Sequence, residues 1–328
     1  MNKRNETLDI IKGICILMII ITHFPLEDGE NLKFLYPFWI DMAVPMFMVI
    51  TGYVYTLSYD KKKVESWQAA YSVSLLLDRF IRYTIPFAIL FVPEVIFQKL
   101  VGNVTSVGDV VSGFAKGGYG PGGYYFPVMI QLVLIFPVIY FVVKKFDFIG
   151  LILCWGLNFV FELIQKFFNM PESVYRLLMF RYIFVVAFGC FLAIGKKQVK
   201  MWFWIALGVL SFVFIVVTRY GFYEPRIIRY WTGTSMMAVM FVFPFMAWAF
   251  GKLFNCSVLA KLGLASYNIF LFQKLYYCVP VWNYVTFVDN RLVQLLVNIV
   301  ICSAAGYVFY LVEGPLTKKL IGKVVYGK

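Results

Sequence analysis

The chain has 328 residues, of which 62% are hydrophobic and only 14% are charged. This composition excludes an ordinary soluble domain and a disordered chain, and it predicts a polytopic membrane protein. The 30 basic residues outnumber the 17 acidic ones, but they lie in short segments between apolar runs, which is the positive-inside pattern and does not indicate nucleic-acid binding. The six cysteines are scattered through apolar stretches, so we expect buried free thiols, no disulfide framework and no metal site.

Apolar runs of about 20 residues predict an all-α protein with about ten transmembrane helices. The predicted spans are 8–25, 35–57, 80–101, 124–143, 147–167, 177–195, 201–218, 231–250, 263–283 and 292–313. With the N-terminus in the cytoplasm, 19 of the 30 lysines and arginines fall on the cytoplasmic side, which predicts that both termini are cytoplasmic. We expect one domain over residues 1–328, located in the cell membrane, with no soluble domain and no internal repeat.

The first predicted span contains three ionisable side chains, Asp9, Lys12 and the single histidine, His23. A charge in a span costs roughly 2.5 to 3.5 kcal/mol at its centre. Charges this early also favour an uncleaved helix over a signal peptide. Lys12 and His23 share nearly one helix face, roughly 16 Å apart along the axis. They are either interfacial anchors, or an anion-binding cation and a general base, since imidazole suits proton transfer near neutral pH.

Asp41 is the first candidate partner for His23. The first outer loop, residues 26–31, is short, so the end of the first span should lie beside the start of the second span, where Asp41 is found. A carboxylate there would orient the imidazole and stabilise its protonated form. The alternative is an interfacial aspartate that faces water.

Charged residues in later spans are further candidates. Arg79 and Arg82 are three residues apart and therefore share a helix face, and two guanidinium groups suit a phosphate; the alternative is a pair of ordinary positive-inside anchors. Glu94 is a candidate acid/base or a structural partner. Glu162 and Arg181 lie inside spans and are expected to pair or to line a cavity.

Two outer segments combine aromatic residues with flexible or charged ones. Residues 116–126 are rich in glycine but lack the Lys-Ser/Thr of a phosphate loop, so they predict a flexible loop that leads into Tyr124 and Tyr125. The charged stretch 219–230 contains three tyrosines, which suits either a sugar acceptor or an interfacial aromatic belt. Pro315, just after Glu313, is predicted to end the last span.

Five short motifs follow one another along the chain. They are Arg4 with Leu8-Asp9, Lys12-Gly13 and His23; Val44-Pro45-Met46-Phe47 with Thr51-Gly52-Tyr53; Arg79-x-x-Arg82 with Pro86; Gly263-x-x-Ser266-Tyr267-x-Ile269-x-Leu271; and Glu313-Gly314-Pro315. In this order they resemble the acyltransferase-3 family of integral membrane acyltransferases over nearly the whole chain. The chain departs from the family pattern at Tyr124-Tyr125-Phe126 in place of Trp-Phe-Leu, at Thr51 in place of serine, and at Gln273 in place of a late histidine. A mechanism that needs a second histidine is therefore excluded here.

The resemblance implies acyl transfer across the membrane. Acetyl-CoA or another acyl-CoA would bind from the cytoplasm, a tunnel along the first span would hold its pantetheine arm, and the acceptor would be a hydroxyl of a surface glycan or lipid-linked sugar. The predicted catalytic residues are His23 and Asp41, and the predicted substrate-binding residues are Arg4, Lys12, Arg79, Arg82, Tyr124, Tyr125 and Glu313. The expected partners are these substrates and the lipid bilayer, with a homo-oligomer possible and no nucleic acid or metal.

Two other functions compete with acyl transfer. A transporter or flippase of a glycan or lipid precursor would also have buried charges, but it predicts repeated halves with broken helices, which the sequence does not show. A non-catalytic subunit of a polysaccharide synthase predicts no CoA binding and tolerance of the loss of His23. Within the acyltransferase hypothesis, we expect direct transfer without an acyl-enzyme.

Overall fold

The computed structural model describes residues 6–25, 29–195, 199–280 and 290–327, and every regular element in these ranges is helical. The helices are α1 (Glu6–His23), α2 (Glu30–Lys33), α3 (Ala43–Lys61), α4 (Trp67–Ala70), α5 (Val73–Leu100), α6 (Val107–Ala115), α7 (Tyr125–Phe146), α8 (Phe148–Phe167), α9 (Glu172–Tyr175), α10 (Ile183–Ile194), α11 (Met201–Arg219), α12 (Phe243–Ala249), α13 (Ser257–Leu264), α14 (Ser266–Cys278) and α15 (Arg291–Tyr326). Short 3-10 turns occupy Tyr36–Phe38, Met179–Tyr182, Thr232–Thr234 and Val239–Val242. The predicted all-α class is confirmed.

Seven helical stretches in the described ranges are long and apolar enough to cross a membrane. They are Tyr36–Lys61, Trp67–Leu100, Tyr125–Phe146, Phe148–Phe167, Met201–Arg219, Thr232–Ala249 and Arg291–Tyr326. The other predicted spans are also helical but differ from this pattern: α1 carries three charged residues, Met179–Ile194 is shorter, and Ala265 separates α13 from α14. The protein is thus a polytopic helical membrane protein, while ten spans and cytoplasmic termini stay predictions.

The last helix is longer than the sequence indicates. The prediction that Pro315 ends it is wrong, because α15 continues through this proline to Tyr326. A proline removes one backbone donor, and membrane helices tolerate this loss where neighbouring groups compensate. The 36 residues of α15 span about 54 Å, well beyond the ~30 Å hydrocarbon core. At its start, Arg291 donates to the carbonyl of Pro25 at 2.9 Å, so α15 begins beside the C-terminal end of α1.

Helices α1 and α13 pack with their backbones in contact. A Cβ atom on Gly13 would overlap the carbonyl oxygen of Leu259, and one on Gly263 would overlap the carbonyl oxygen of Asp9. Small residues at a crossing allow membrane helices to approach this closely. Two of the motif glycines therefore set the position of α1.

A second crossing of the same kind joins α3 to α10. A Cβ atom on Gly52 would overlap the carbonyl oxygen of Val186, and one on Gly189 would overlap that of Val49. The core lies between α1, α3, α7, α10 and α14. Its completely buried side chains include Ile16, Met48, Leu132, Phe188 and Ile269. This packing holds the helices that surround the cavities described next.

Candidate active site

Three cavities follow one another along α1. The Lys12-end cavity has a volume of about 370 Å³, the middle cavity about 140 Å³, and the His23-end cavity about 500 Å³. Neighbouring cavities share wall residues. Lys12, Tyr83, Ser266 and Tyr267 line both the Lys12-end and middle cavities, and Ile19, Tyr125 and Phe270 line both the middle and His23-end cavities. The series therefore extends from the Lys12 end of α1 to the histidine.

His23 is the last residue of α1 and lines the His23-end cavity. Its Nδ1 atom lies 2.7 Å from Oε1 of Gln273. Because an amide oxygen only accepts hydrogen bonds, Nδ1 is the donor and Nε2 keeps its lone pair. A half-buried imidazole with a fixed tautomer and an available Nε2 can act as a general base.

The side chain that contacts the imidazole of His23 is that of Gln273, whereas the partner predicted from the sequence is Asp41. Asp41 lines the same cavity, but its carboxylate faces Arg219, with 3.8 Å between Oδ2 and Nη2. Helix α14 packs against α1 and brings Gln273 to the imidazole, whereas Asp41 enters from the segment before α3. The sequence analysis noted Gln273 because it replaces the family's late histidine. The spacing of residues in the sequence did not indicate that this side chain would reach α1.

Arg79 is the clearest candidate for an anion-binding group in the Lys12-end cavity. Its side chain is buried, and its guanidinium carbon lies 3.8 Å from the ring centroid of Tyr55 and 4.8 Å from that of Tyr59. Among the described residues, Nη1 and Nη2 have no hydrogen-bond partner. Unsatisfied buried donors are costly, and a phosphate in this cavity would satisfy them with charge-assisted bonds.

Arg82 lines the same cavity, but its guanidinium group is already paired with a carboxylate. Its Nε donates to Oδ1 of Asp78 at 3.0 Å, and Nη2 lies 2.9 Å from the same oxygen. Half of the Arg82 side chain is exposed. Both arginines line this cavity. Of these two residues, Arg79 alone has buried donors without a partner in the described structure.

Lys12, Glu313 and Lys318 are the other charged residues of the described chain that line this cavity. Lys12 Nζ lies 2.6 Å from Oδ1 of Asp9. The buried carboxylate of Glu313 accepts from Nδ2 of Asn268 at 2.8 Å and from the hydroxyl of Thr317, which links α14 to α15. Substrate binding by Lys12 and Glu313 stays a prediction, and the predicted Arg4 lies outside the described residues.

Aromatic side chains form one wall of the His23-end cavity. Tyr124 and Trp231 meet edge to face with ring centroids 4.9 Å apart, and Tyr125 packs against Phe270 at 5.2 Å. Aromatic walls with a few polar groups are typical of small-molecule sites. The sequence analysis selected Tyr124 and Tyr125 but missed Trp231, because this residue opens a predicted membrane span.

The glycine-rich loop (residues 116–124) contacts neighbouring helices, while its flexibility stays a prediction. A buried ion pair lies beneath it, with Lys274 Nζ 2.5 Å from Oε1 of Glu94. The backbone N–H of Tyr119 donates to the other carboxylate oxygen at 2.9 Å, and a Cβ atom on Gly118 would overlap Nζ of Lys274. Glu94 is thus a structural partner, and it accepts this hydrogen bond from the loop that brings Gly122 next to His23.

Glu162 and Arg181 lie behind the aromatic wall. The hydroxyl of Tyr175 donates to Glu162 Oε1 at 2.7 Å, and Arg181 Nη2 donates to Thr234 at 2.8 Å. The Arg181 guanidinium carbon lies 4.0 Å from the ring centroid of Trp231. Within the described residues, no group of three or more His, Cys, Asp or Glu side chains is placed to hold a metal ion.

Comparison with known proteins identifies the family. No curated protein and no solved structure matches the chain. A family model described as an acyltransferase domain matches residues 5–312, which is nearly the whole chain. The chain therefore belongs to the acyltransferase-3 family.

Proposed function

We propose that this protein transfers an acyl group, most simply acetyl, from a cytoplasmic acyl-CoA to a hydroxyl of a glycan or lipid-linked sugar outside the cell membrane. The observation that carries this proposal is the series of three cavities between the Lys12 end of α1 and the single histidine. Membership of an acyltransferase family supports the reaction class. The proposal assigns the Lys12 end to the cytoplasm and the His23 end to the outside, as the distribution of basic residues predicts.

The donor would bind at the Lys12 end. Arg79 offers two unsatisfied donors to the CoA phosphates, and Lys12 and Arg82 add positive charge to the same cavity. The pantetheine arm would pass through the middle cavity, where Thr51, Ser266 and Tyr267 supply hydroxyl groups for its amides. The thioester would then reach the end of α1, about 16 Å from Lys12 along the helix.

The chemistry would occur at the His23 end. Nε2 of His23 takes the proton of the acceptor hydroxyl as its oxygen attacks the thioester carbonyl carbon. The tetrahedral intermediate collapses, the carbon–sulfur bond breaks, and the CoA thiolate receives the proton from the imidazolium. Gln273 holds Nδ1–H throughout, and Asp41 contributes negative charge across the cavity while imidazolium is present.

The test compares purified wild-type protein with His23→Gln and His23→Ala variants. Both variants should bind acetyl-CoA with a Kd close to that of the wild type, because the donor site lies at the opposite end of α1. Transfer to an acceptor should fall about 10²- to 10⁴-fold, the usual contribution of a general base.

Three results would contradict parts of this proposal. A wild-type protein that binds no acyl-CoA would refute acyl transfer itself and would favour precursor transport. Full activity in both variants would refute the role of His23. An acylated protein trapped during turnover would refute direct transfer.

A further inference from the structure

Among the described residues, the wall of the His23-end cavity has more positive than negative charge. The charged side chains of this part of the chain that line it, apart from His23, are Arg176, Arg219 and Asp41. Arg176 is exposed where it lines the cavity. A site for an entirely neutral acceptor does not need this excess of cations.

Arg219 is only loosely neutralised by Asp41. The 3.8 Å between Nη2 and Oδ2 is longer than a hydrogen bond, and Nε is buried with no partner among the described residues. Gly233 lies beside this pair, since a Cβ atom there would be 3.5 Å from both Arg219 Nε and Asp41 Oδ2. An unsatisfied guanidinium N–H therefore adjoins a glycine on the cavity wall.

The charges behind the wall do not cancel this excess. Arg181 is 4% exposed, and its Nε and Nη1 have no hydrogen-bond partner in the described structure. The acidic groups on this side are the buried Glu162, which offsets Arg181, and the exposed Glu172, which accepts a hydrogen bond from the indole N–H of Trp231 at 2.7 Å. Neither carboxylate lines the cavity, so among the described lining residues the charges are those of Arg176 and Arg219 against Asp41.

We propose that the acceptor carries an anionic group, a carboxylate or a phosphate, which Arg219 and Arg176 bind beside the hydroxyl that reacts at His23. This inference rests on the function proposed above and narrows its acceptor class. Guanidinium groups bind both anions through paired hydrogen bonds. A neutral sugar could accept hydrogen bonds from these groups through its hydroxyl oxygens, but it would not balance their charge, and charge-assisted bonds to an anion are stronger.

The single histidine allows a direct binding test that does not require turnover. Diethyl pyrocarbonate carbethoxylates imidazole, so its reaction rate, followed by mass spectrometry, reports on His23 alone. Methyl glucuronide, a hexose phosphate and neutral methyl glucoside are compared by the concentration that halves this rate. Free N-acetylhistidine in parallel reactions corrects for any consumption of the reagent by the sugars.

The variants are Arg219→Gln and Arg176→Gln, with Arg226→Gln as the matched control. Arg226 is an exposed arginine of the neighbouring loop and does not line the cavity. In the wild type, at least one charged sugar should protect His23 at a concentration about tenfold or more below that of the neutral sugar. The ratio of the protecting concentration of the neutral sugar to that of the charged sugar should fall about tenfold in Arg219→Gln. The same ratio should also fall in Arg176→Gln and should be unchanged in Arg226→Gln. Which charged sugar protects better identifies a carboxylate or a phosphate as the bound group.

Equal protection by charged and neutral sugars would overturn the inference, as would protection by none of them or an undiminished preference in Arg219→Gln. Each preference is a ratio within one protein preparation, so a partly inactive variant does not mimic the effect. Acetyl-CoA binding is measured on the same preparations. If the protein binds acetyl-CoA but charged and neutral sugars protect His23 equally, the anionic acceptor is refuted and the transferase proposal stands. If the protein does not bind acetyl-CoA, the proposed transferase itself is refuted.

Discussion

At the residue scale, Gln273 determines which nitrogen of His23 is available. Its Oε1 lies 2.7 Å from Nδ1, so the proton is held there and Nε2 is left as an acceptor. In many enzymes a carboxylate makes this contact. An amide fixes the same tautomer but provides less stabilisation of the imidazolium, because it carries no charge.

Replacing Gln273 should therefore affect the reaction and spare donor binding. Gln273→Leu removes the acceptor for Nδ1–H and should lower kcat by about tenfold or more, the value of one lost hydrogen bond at the reacting group. Gln273→Glu keeps an acceptor and should retain more activity than the leucine variant. The measurement is steady-state kinetics with acetyl-CoA, and equal kcat for the wild type and Gln273→Leu would contradict the positioning role.

Arg79 and Arg82 differ in their surroundings, and this difference gives a second prediction. Arg79→Met should weaken acetyl-CoA binding by about tenfold or more, because it removes the buried donors that have no other partner. Arg82→Met is the matched control and should weaken binding only a few-fold, because Arg82 is half exposed and already paired with Asp78. Isothermal titration gives both values.

Thermal unfolding without ligand separates this effect from misfolding. Removing an unpaired buried charge is often neutral or stabilising, so Arg79→Met should unfold at a temperature equal to or above that of the wild type. Lower thermal stability together with weaker binding would indicate that Arg79 supports the fold, and equal losses in the two variants would refute its special role.

At the element scale, glycines at two helix crossings set the distances between the helices that carry the site. Gly52 and Gly189 allow α3 and α10 to touch, and Gly13 and Gly263 do the same for α1 and α13. The motifs of the family thus include residues that act through packing. Three of these four glycines belong to motifs that the sequence analysis selected.

Gly52→Ala should destabilise the protein. Its Cβ would overlap the carbonyl oxygen of Val186, and overpacking of this kind costs about 1–3 kcal/mol. Gly156→Ala is the control, because nothing lies within 4 Å of a Cβ at that position in α8, and alanine should add about 0.5–1 kcal/mol of helix stability. Thermal unfolding in detergent measures both changes, and a Gly52→Ala protein as stable as Gly156→Ala would show that the crossing adapts.

At the scale of the whole molecule, the sequence predicted the long apolar helices that a bilayer requires. Long apolar runs must form helices in a membrane, so the predicted spans coincide closely with helices in the described ranges. The single histidine and the paired arginines could be selected because charges in such runs are costly. They lie at opposite ends of a series of three cavities, and the tunnel along α1 stays a prediction.

The contacts between helices could not be predicted from the sequence. Which side chain reaches His23 depends on how α14 rotates against α1, and no spacing in the sequence encodes that rotation. Trp231 stands at the start of a predicted membrane span and carried no signal of its own, and the buried partner of Glu94 lies 180 residues away at Lys274. Pro315 shows the same limit, since α15 continues through it despite the local preference of proline to end a helix.

The small middle cavity has a consequence for the cell's energy supply. It holds only about 140 Å³, and Ile19, Phe47, Ile50 and Phe270 make much of its wall apolar. A narrow apolar section disfavours a continuous column of water, in the way that hydrophobic constrictions close channels. An enzyme working as proposed can thus pass a thioester arm through the bilayer while protons and ions stay on their own sides, so that the membrane potential is preserved between turnovers.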